Sequence, residues 1–190
     1  MTVLDGEHLT IEEVVETAAG GGPVSLAPEA IAKMQRSREV VERLAASGEP
    51  VYGVNTGVGQ LASVPIPPDQ LEELQRNVVR SHACGVGSPL SRAEVRAMML
   101  IRANVLAKGF SGIRPVVAER LCELLNRGVT PVAPARGSVG ASGDLAPLAH
   151  IALVLTGEGE AEFDGVVLPG GEALRRAGIE PLSLASKEGI

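Results

Sequence analysis

A run of small residues, Gly137-Ser138-Val139-Gly140-Ala141-Ser142-Gly143-Asp144, passes directly into an apolar segment from Leu145 to Leu155 that carries His150. Free backbone N–H groups in such a loop, and the positive end of a following helix, favour negative charge, so one chemistry open to it is anion binding. The other reading is a tight turn capped by Ser142 or Asp144. Pattern alone favours the turn, because the chain has no phosphate-loop run ending in Gly-Lys-Ser/Thr and no Gly-x-Gly-x-x-Gly after a strand. A second glycine-rich stretch, Tyr52-Gly53-Val54-Asn55-Thr56-Gly57-Val58-Gly59, contains the only tyrosine. A free phenol titrates near pH ~10, so as a base it needs a neighbouring cation or helix dipole. Without one it is an amphipathic ring closing a loop. A third stretch, Arg80-Ser81-His82-Ala83-Cys84-Gly85-Val86-Gly87, holds one of three histidines. A lone histidine is more often a core or surface residue than a binding group. On pattern, His8 reads as solvated and His150 as structural. Cys84 and Cys122 form no Cys-x-x-Cys pair and cannot build a four-thiolate zinc site; they read as reduced, buried thiols.

The elements that must position these stretches are mainly helical. Residues 2–4 and 9–11 are short and apolar, either extended or the start of a helix through Ala19. Gly20-Gly21-Gly22-Pro23 breaks the chain. From Pro28, suited to a first helical turn, Ile31, Met34, Val41 and Leu44 recur at helical spacing until Gly48-Glu49-Pro50. Pro65, Pro67 and Pro68 lead into a polar-faced helix through about Arg80. Residues 91–107 read as an amphipathic helix with Ser91 and Glu94 as a capping box. Val95, Met98, Met99, Val105 and Leu106 form its buried face, interrupted by Arg102, read first as snorkelling or solvated and second as a paired, buried arginine. Another helix runs from Pro115 to about Asn126, with Val117, Leu121, Leu124 and Leu125 inward and Gly128 as its stop. A loop over 129–140 follows, then a helix over 144–156, apolar nearly all round and so buried on most sides. Asp164-Gly165 between two short apolar runs signals a hairpin.

The 190 residues carry a net charge of −6, with no long Lys/Arg run and only 2% aromatics. Such a chain is poorly suited to binding nucleic acid, through either phosphates or stacked bases. The start, Met1-Thr2-Val3-Leu4-Asp5-Gly6, soon turns acidic, unlike a signal or transit peptide, and no apolar stretch reaches the length of a membrane span. The expectation is a cytoplasmic protein with no membrane association.

Read as residues rather than as a pattern, the first loop changes meaning. Ala141-Ser142-Gly143 within its Gly137–His150 setting resembles the signature of the histidine and aromatic amino acid ammonia-lyases. Tyr52 to Gly57, Arg80 to Gly87, and Arg102-Ala103-Asn104-Val105-Leu106-Ala107-Lys108-Gly109-Phe110-Ser111-Gly112 also resemble that family, in its chain order. The resemblance spans essentially the whole chain and is closest to the histidine-specific members.

In that family the Ala-Ser-Gly triplet cyclises into a methylidene-imidazolone, an electrophile made from the protein's own backbone, with no metal or nucleotide. The residue types suit it: the Gly143 nitrogen must attack the Ala141 carbonyl, and a residue without Cβ bends that tightly at little steric cost. Ser142 then loses its hydroxyl as water, and Asp144 matches the residue thought to assist. The resemblance implies elimination of ammonia from L-histidine to give urocanate, with Tyr52 as catalytic base. Ser81 and His82 match the pair facing the substrate side chain; Asn55 and Gly59, with Gly53 and Gly57, would hold the loop against the electrophile and border the substrate. The implied fold is mainly α with small β elements, the N-terminal part of the fumarase/aspartase-like helical fold. Residues 1–190 would be an electrophile-bearing domain, in a homotetramer whose active sites are shared between subunits. Family members run far longer, so the helical-bundle half, a second tyrosine and a carboxylate-binding arginine are expected outside this sequence, and the 190 residues alone are expected to be inactive. Two other readings stand: a phenylalanine or tyrosine lyase or aminomutase, disfavoured by Ser81-His82, and a catalytically silent association module.

Overall fold

The computed structural model describes residues 1–138, 140, 143 and 145–189. Its first layer is built on α4 (Arg92–Ala107), against which α1 (Ile11–Ala18), α2 (Pro28–Ala46) and α5 (Pro115–Arg127) pack. Local chemistry sets the starts of two of these helices. Thr10 with Glu13, and Ser91 with Glu94, each form a reciprocal capping box that satisfies donors left open in the first turn. The α5 helix stops at Gly128 in the left-handed conformation, φ +75°. Leu100, Met99, Ala103, Leu121 and Leu124 are buried between α4 and α5. Each large aliphatic side chain so placed contributes roughly 1.5–3 kcal/mol. Arg96, 3% exposed, donates to the carbonyls of Thr17 and Leu125 and thereby caps the last turns of α1 and α5 together. At the edge of this layer β1 (Thr2–Leu4) and β2 (Val24–Leu26) pair in parallel. The Asn126 amide brackets the backbone N–H and C=O of Val24 at 2.8 Å each.

A second layer carries the glycine-rich loops. The helix α3 (Leu71–His82) packs on α6 (Leu145–Leu155), and Arg80 forms a bidentate pair with Glu158 just beyond the end of α6. Strand β3 (Val86–Pro89) pairs antiparallel with β5 (Pro134–Arg136), with an irregular register between its two pairs. Strands β4 (Thr130–Pro131), β6 (Glu160–Phe163) and β7 (Val166–Pro169) form a three-stranded sheet that α7 (Gly170–Ala177) covers. The hairpin turn lies at Asp164 and Gly165, both with positive φ, as its sequence predicts. Ile151, Val154, Leu155 and Leu174 join the two layers in one hydrophobic core.

Three expectations need correction, and one helix was not expected at all. The stretch 129–140 is not a plain loop: β4 and β5 lie within it, each too short to show an alternating pattern. Val105 is 41% exposed, because it stands one helical turn after Ile101, 48% exposed, on the outward face, while Leu106 and Ala107 beside it are buried. Cys84 is exposed, since it lies beyond the α3 C-cap; only Cys122 is buried, and burial pushes its thiol up to about 12. The α7 helix had no apolar run long enough to announce it. Arg102 is half-buried, and desolvation pulls its pKa downward; among the described residues it forms no ion pair.

Candidate active site

Ser81 and His82 occupy the last turn of α3, where backbone carbonyls lack helical partners. Ser81 Oγ donates to the Val78 carbonyl at 2.8 Å, and His82 Nδ1–H donates to the same oxygen at 2.8 Å. That bond fixes the tautomer of the neutral ring and leaves Nε2 as an acceptor. The helix therefore holds the imidazole by one nitrogen and presents the other.

The chain then turns through Ala83, Cys84 and Gly85 into β3, whose partner β5 leads into the Gly137–Gly143 loop. Two close approaches lock this junction. The Gly85 N–H donates to His150 Nε2 at 3.1 Å, tying the α3 exit to the second turn of α6. At Gly137 an added Cβ would stand 2.9 Å from the Gly85 Cα, and at Gly85 one would stand 3.0 Å from His150 Nε2, so the chain segments flanking β3 and β5 meet here through glycines. A ring nitrogen that accepts a hydrogen bond is unprotonated, and partial burial holds the His150 pKa below its ordinary value. His150 is structural, as its sequence setting suggested, and the structure gives the reason: it joins two motifs.

Within the loop, the Gly140 N–H donates to Ser138 Oγ at 3.3 Å. Gly143 has φ +111°, and nothing lies within 4 Å of the position a Cβ would take. That conformation disfavours any other residue type. Ala141, Ser142 and Asp144 lie outside the described residues. The helix α6 begins two residues after Gly143, at Leu145.

Tyr52 stands on a different support. Its ring is 58% exposed, and its hydroxyl accepts from the Gly59 N–H at 3.4 Å. Gly59, φ +59°, opens a 3₁₀ turn over Gly59–Leu61. The Asn55 side chain is 9% exposed as a residue and turned into its own loop: Oδ1 accepts from the Val51 N–H at 2.7 Å, and Nδ2 donates to the Glu49 carbonyl at 2.8 Å. Both ends of the amide are thus occupied in shaping the loop. Thr56, fully buried, donates to the Gly57 carbonyl, and its backbone bridges to Pro65. The loop is fastened from outside by Ser186, whose hydroxyl donates to the Val54 carbonyl. The structure therefore ties the end of α3 to α6 through Gly85 and His150, and holds the loop of Tyr52, Asn55 and Gly59 separately, through Val64, Ile66 and Ser186. Of two hollows among the described residues, one of about 400 Å3 is lined by Glu7, Lys33, Arg36 and Lys108, away from these residues, and one of about 300 Å3 is lined by Pro68, Arg114 and Ser186 among others, beside the segment that fastens the Tyr52 loop.

The aromatic amino acid lyase family model matches residues 9–190. The chain belongs to that family. A histidine ammonia-lyase from Gloeobacter violaceus is 55% identical over 188 residues, which is 99% of this chain and 37% of that protein. Among solved structures, histidine ammonia-lyase from Trypanosoma cruzi is similar with a TM-score of 0.89 and 40% identity, covering 99% of this chain and 36% of that one. Tyrosine aminomutase from Streptomyces globisporus is similar with a TM-score of 0.92 and 45% identity, covering 99% and 35%. The chain spans a little over a third of the length of these aromatic amino acid lyase relatives, and the match lies along nearly all of it. The mainly helical fold with small strands is thus the fold of the corresponding part of this family.

The residues that motif spacing could not supply are the fasteners, His150, Ser186 and Gly137. Their partners lie far away in sequence: 65 residues separate Gly85 from His150, and 132 separate Val54 from Ser186. No local pattern encodes such pairs.

Proposed function

We propose that these residues supply the electrophile-bearing part of a histidine ammonia-lyase, a carbon–nitrogen lyase that converts L-histidine to urocanate and ammonia. The observation that supports this reading is the junction at Gly85, whose N–H donates to His150 and so ties the end of α3, which carries Ser81 and His82, to α6, which follows the Ala141-Ser142-Gly143 stretch in the chain. The relatives named as histidine ammonia-lyases at about half identity support it.

In this reading Ala141, Ser142 and Gly143 form the methylidene-imidazolone, which supplies an electrophile that takes up electron density from the substrate when present. Gly143 contributes the backbone conformation, Asp144 assists closure, and the α6 N-terminus stabilises developing negative charge. His82 accepts a hydrogen bond from the substrate imidazole while Ser81 keeps the helix end in place. Tyr52 removes the β-proton, and Gly59 and Asn55 hold the phenol at the site's border. Tyr52 stands exposed here, so the site is completed by further elements, from the rest of a longer chain and from other subunits of a homotetramer. The enzyme acts in the cytoplasm, without metal, nucleotide or nucleic acid.

The likeness to tyrosine aminomutase gives the second reading, an enzyme for tyrosine or phenylalanine. Assay of the complete lyase with each amino acid, together with intact mass, separates them. The expected result is urocanate from histidine and a chain lighter by two waters, both lost in Ser142→Ala. A β-amino acid from tyrosine, with no urocanate, would establish the second reading; an unmodified mass with no turnover of any of them would establish a silent association module.

A further inference from the structure

The Tyr52 loop has few apolar anchors of its own, so its position depends on what fastens it. The Ser186 hydroxyl, in a residue only 7% exposed, donates to the carbonyl of Val54, two residues from Tyr52. Ser186 is itself held on both sides. Its carbonyl accepts from the Arg38 guanidinium at 2.9 Å, and two residues on stands Glu188, whose side chain is fully buried. The Glu188 carboxylate accepts from the Arg114 guanidinium at 2.6 and 2.8 Å, from the Arg114 backbone N–H at 3.0 Å and from the Ala185 N–H at 2.7 Å. A carboxylate so supplied is compensated for its burial, and at the first turn of α5 it also meets the positive end of that helix. The short segment 185–188 is therefore pinned to α2 and α5 by an ion cluster, and it presents one hydroxyl to the Tyr52 loop.

We propose that Ser186 is a positioning residue for the lyase reaction, setting the placement of Tyr52 through the Val54 carbonyl from an anchor made by Arg38, Glu188 and Arg114. This rests on Tyr52 being the base. Arg38, Arg114, Ser186 and Glu188 lie outside the stretches that carry the resemblance. A loop displaced by a fraction of an ångström lowers a proton-transfer rate without altering the groups that bind the substrate.

The test is a double-mutant cycle in the complete lyase with L-histidine. Ser186→Ala removes only the hydroxyl, and Tyr52→Phe removes only the phenolic oxygen. We expect Ser186→Ala to lower kcat by about 10- to 100-fold with KM within about twofold, and to cost no further activity in the Tyr52→Phe background. Intact mass should show the two-water loss unchanged in both single variants. An undiminished kcat in Ser186→Ala overturns the proposal. So does an equal fall in the presence and absence of the Tyr52 hydroxyl, since that marks a general effect on folding. Near-normal turnover in Tyr52→Phe alone would instead refute the assignment of the base, and is read independently of Ser186. Glu188→Gln serves as the second variant: it should reproduce the kcat loss of Ser186→Ala in the enzyme that folds, and a Glu188→Gln enzyme with parental kcat would also overturn the anchor.

Discussion

The α4–α5 pair and the Tyr52 loop are held by opposite kinds of force. Between the helices, Leu100, Met99 and Leu124 are buried by dozens of weak contacts, none directional, and the loss of one weakens the whole. The loop instead hangs on directional bonds, the side-chain ones of Asn55, Thr56 and Ser186 and the backbone ones to Val64 and Ile66, and leaves Tyr52 exposed. The difference teaches where each kind of damage should register: core substitutions should register in stability, loop substitutions in rate. A pair of variants draws that contrast most sharply. Tyr52→Phe in the complete lyase should lower kcat by about 10²- to 10⁴-fold while leaving the unfolding midpoint close to the parent's. Leu124→Ala should cost about 2–5 kcal/mol in denaturant unfolding yet leave kcat per folded site unchanged. A Tyr52→Phe enzyme of lowered stability, or a Leu124→Ala enzyme with a kcat defect, would collapse the distinction.

Sequence showed the first region far better than the second, for a physical reason. Helix starts at Thr10 and Ser91 are written within four residues, because a capping box joins positions three apart. The stop at Gly128 and the hairpin at Asp164-Gly165 are equally local. The short strands β4 and β5 left no trace, being two and three residues long. Site chemistry was legible as residue types, since Tyr52, Ser81, His82 and the Ala141–Gly143 triplet stand in recognisable runs. Their placement was not. His150 reads from sequence as one polar residue on an apolar helix, and only the fold shows it accepting from Gly85. Asn55 reads from sequence as a loop-holding and substrate-bordering residue, and only the fold shows its amide bonded to the Val51 N–H and the Glu49 carbonyl.

His82 lies between the two kinds of region, on a directional bond at the end of a helix. Its Nδ1–H is committed to Val78, so under the proposed function any discrimination by this ring would fall to Nε2. A site built to hydrogen-bond a polar ring rejects an apolar one because a group is left unpaired. His82→Leu should therefore move the ratio of histidine to phenylalanine kcat/KM toward phenylalanine by about tenfold or more. Fold and two-water mass loss should persist. An unchanged ratio would remove His82 from the determinants of specificity and shift attention to elements outside these residues.

The smallest expected effect tests the fastener that joins the two motifs. The Gly85 N–H donates to His150 Nε2, so the folded state requires a neutral ring, and partial burial works in the same direction. In the unfolded chain the imidazole takes up a proton near its ordinary value of about 6.5, while the folded chain resists protonation until lower pH. The unfolded state therefore binds more protons in that window. The contribution of His150 to stability is complete above about pH 6.5 and declines as pH falls toward the lowered folded value. His8 works in the opposite sense, because its hydrogen bond to Asp5 raises its pKa. Comparison with His150→Gln cancels that opposing contribution, since His8 titrates in both proteins and a glutamine can still accept from Gly85 without titrating. Thermal unfolding of both proteins between about pH 8 and about pH 5 should show the parent's advantage shrinking as the pH drops. A difference that stayed constant across the range would mean that the junction does not depend on the charge of His150, and that glycine packing at Gly85 and Gly137 alone holds the two motifs together.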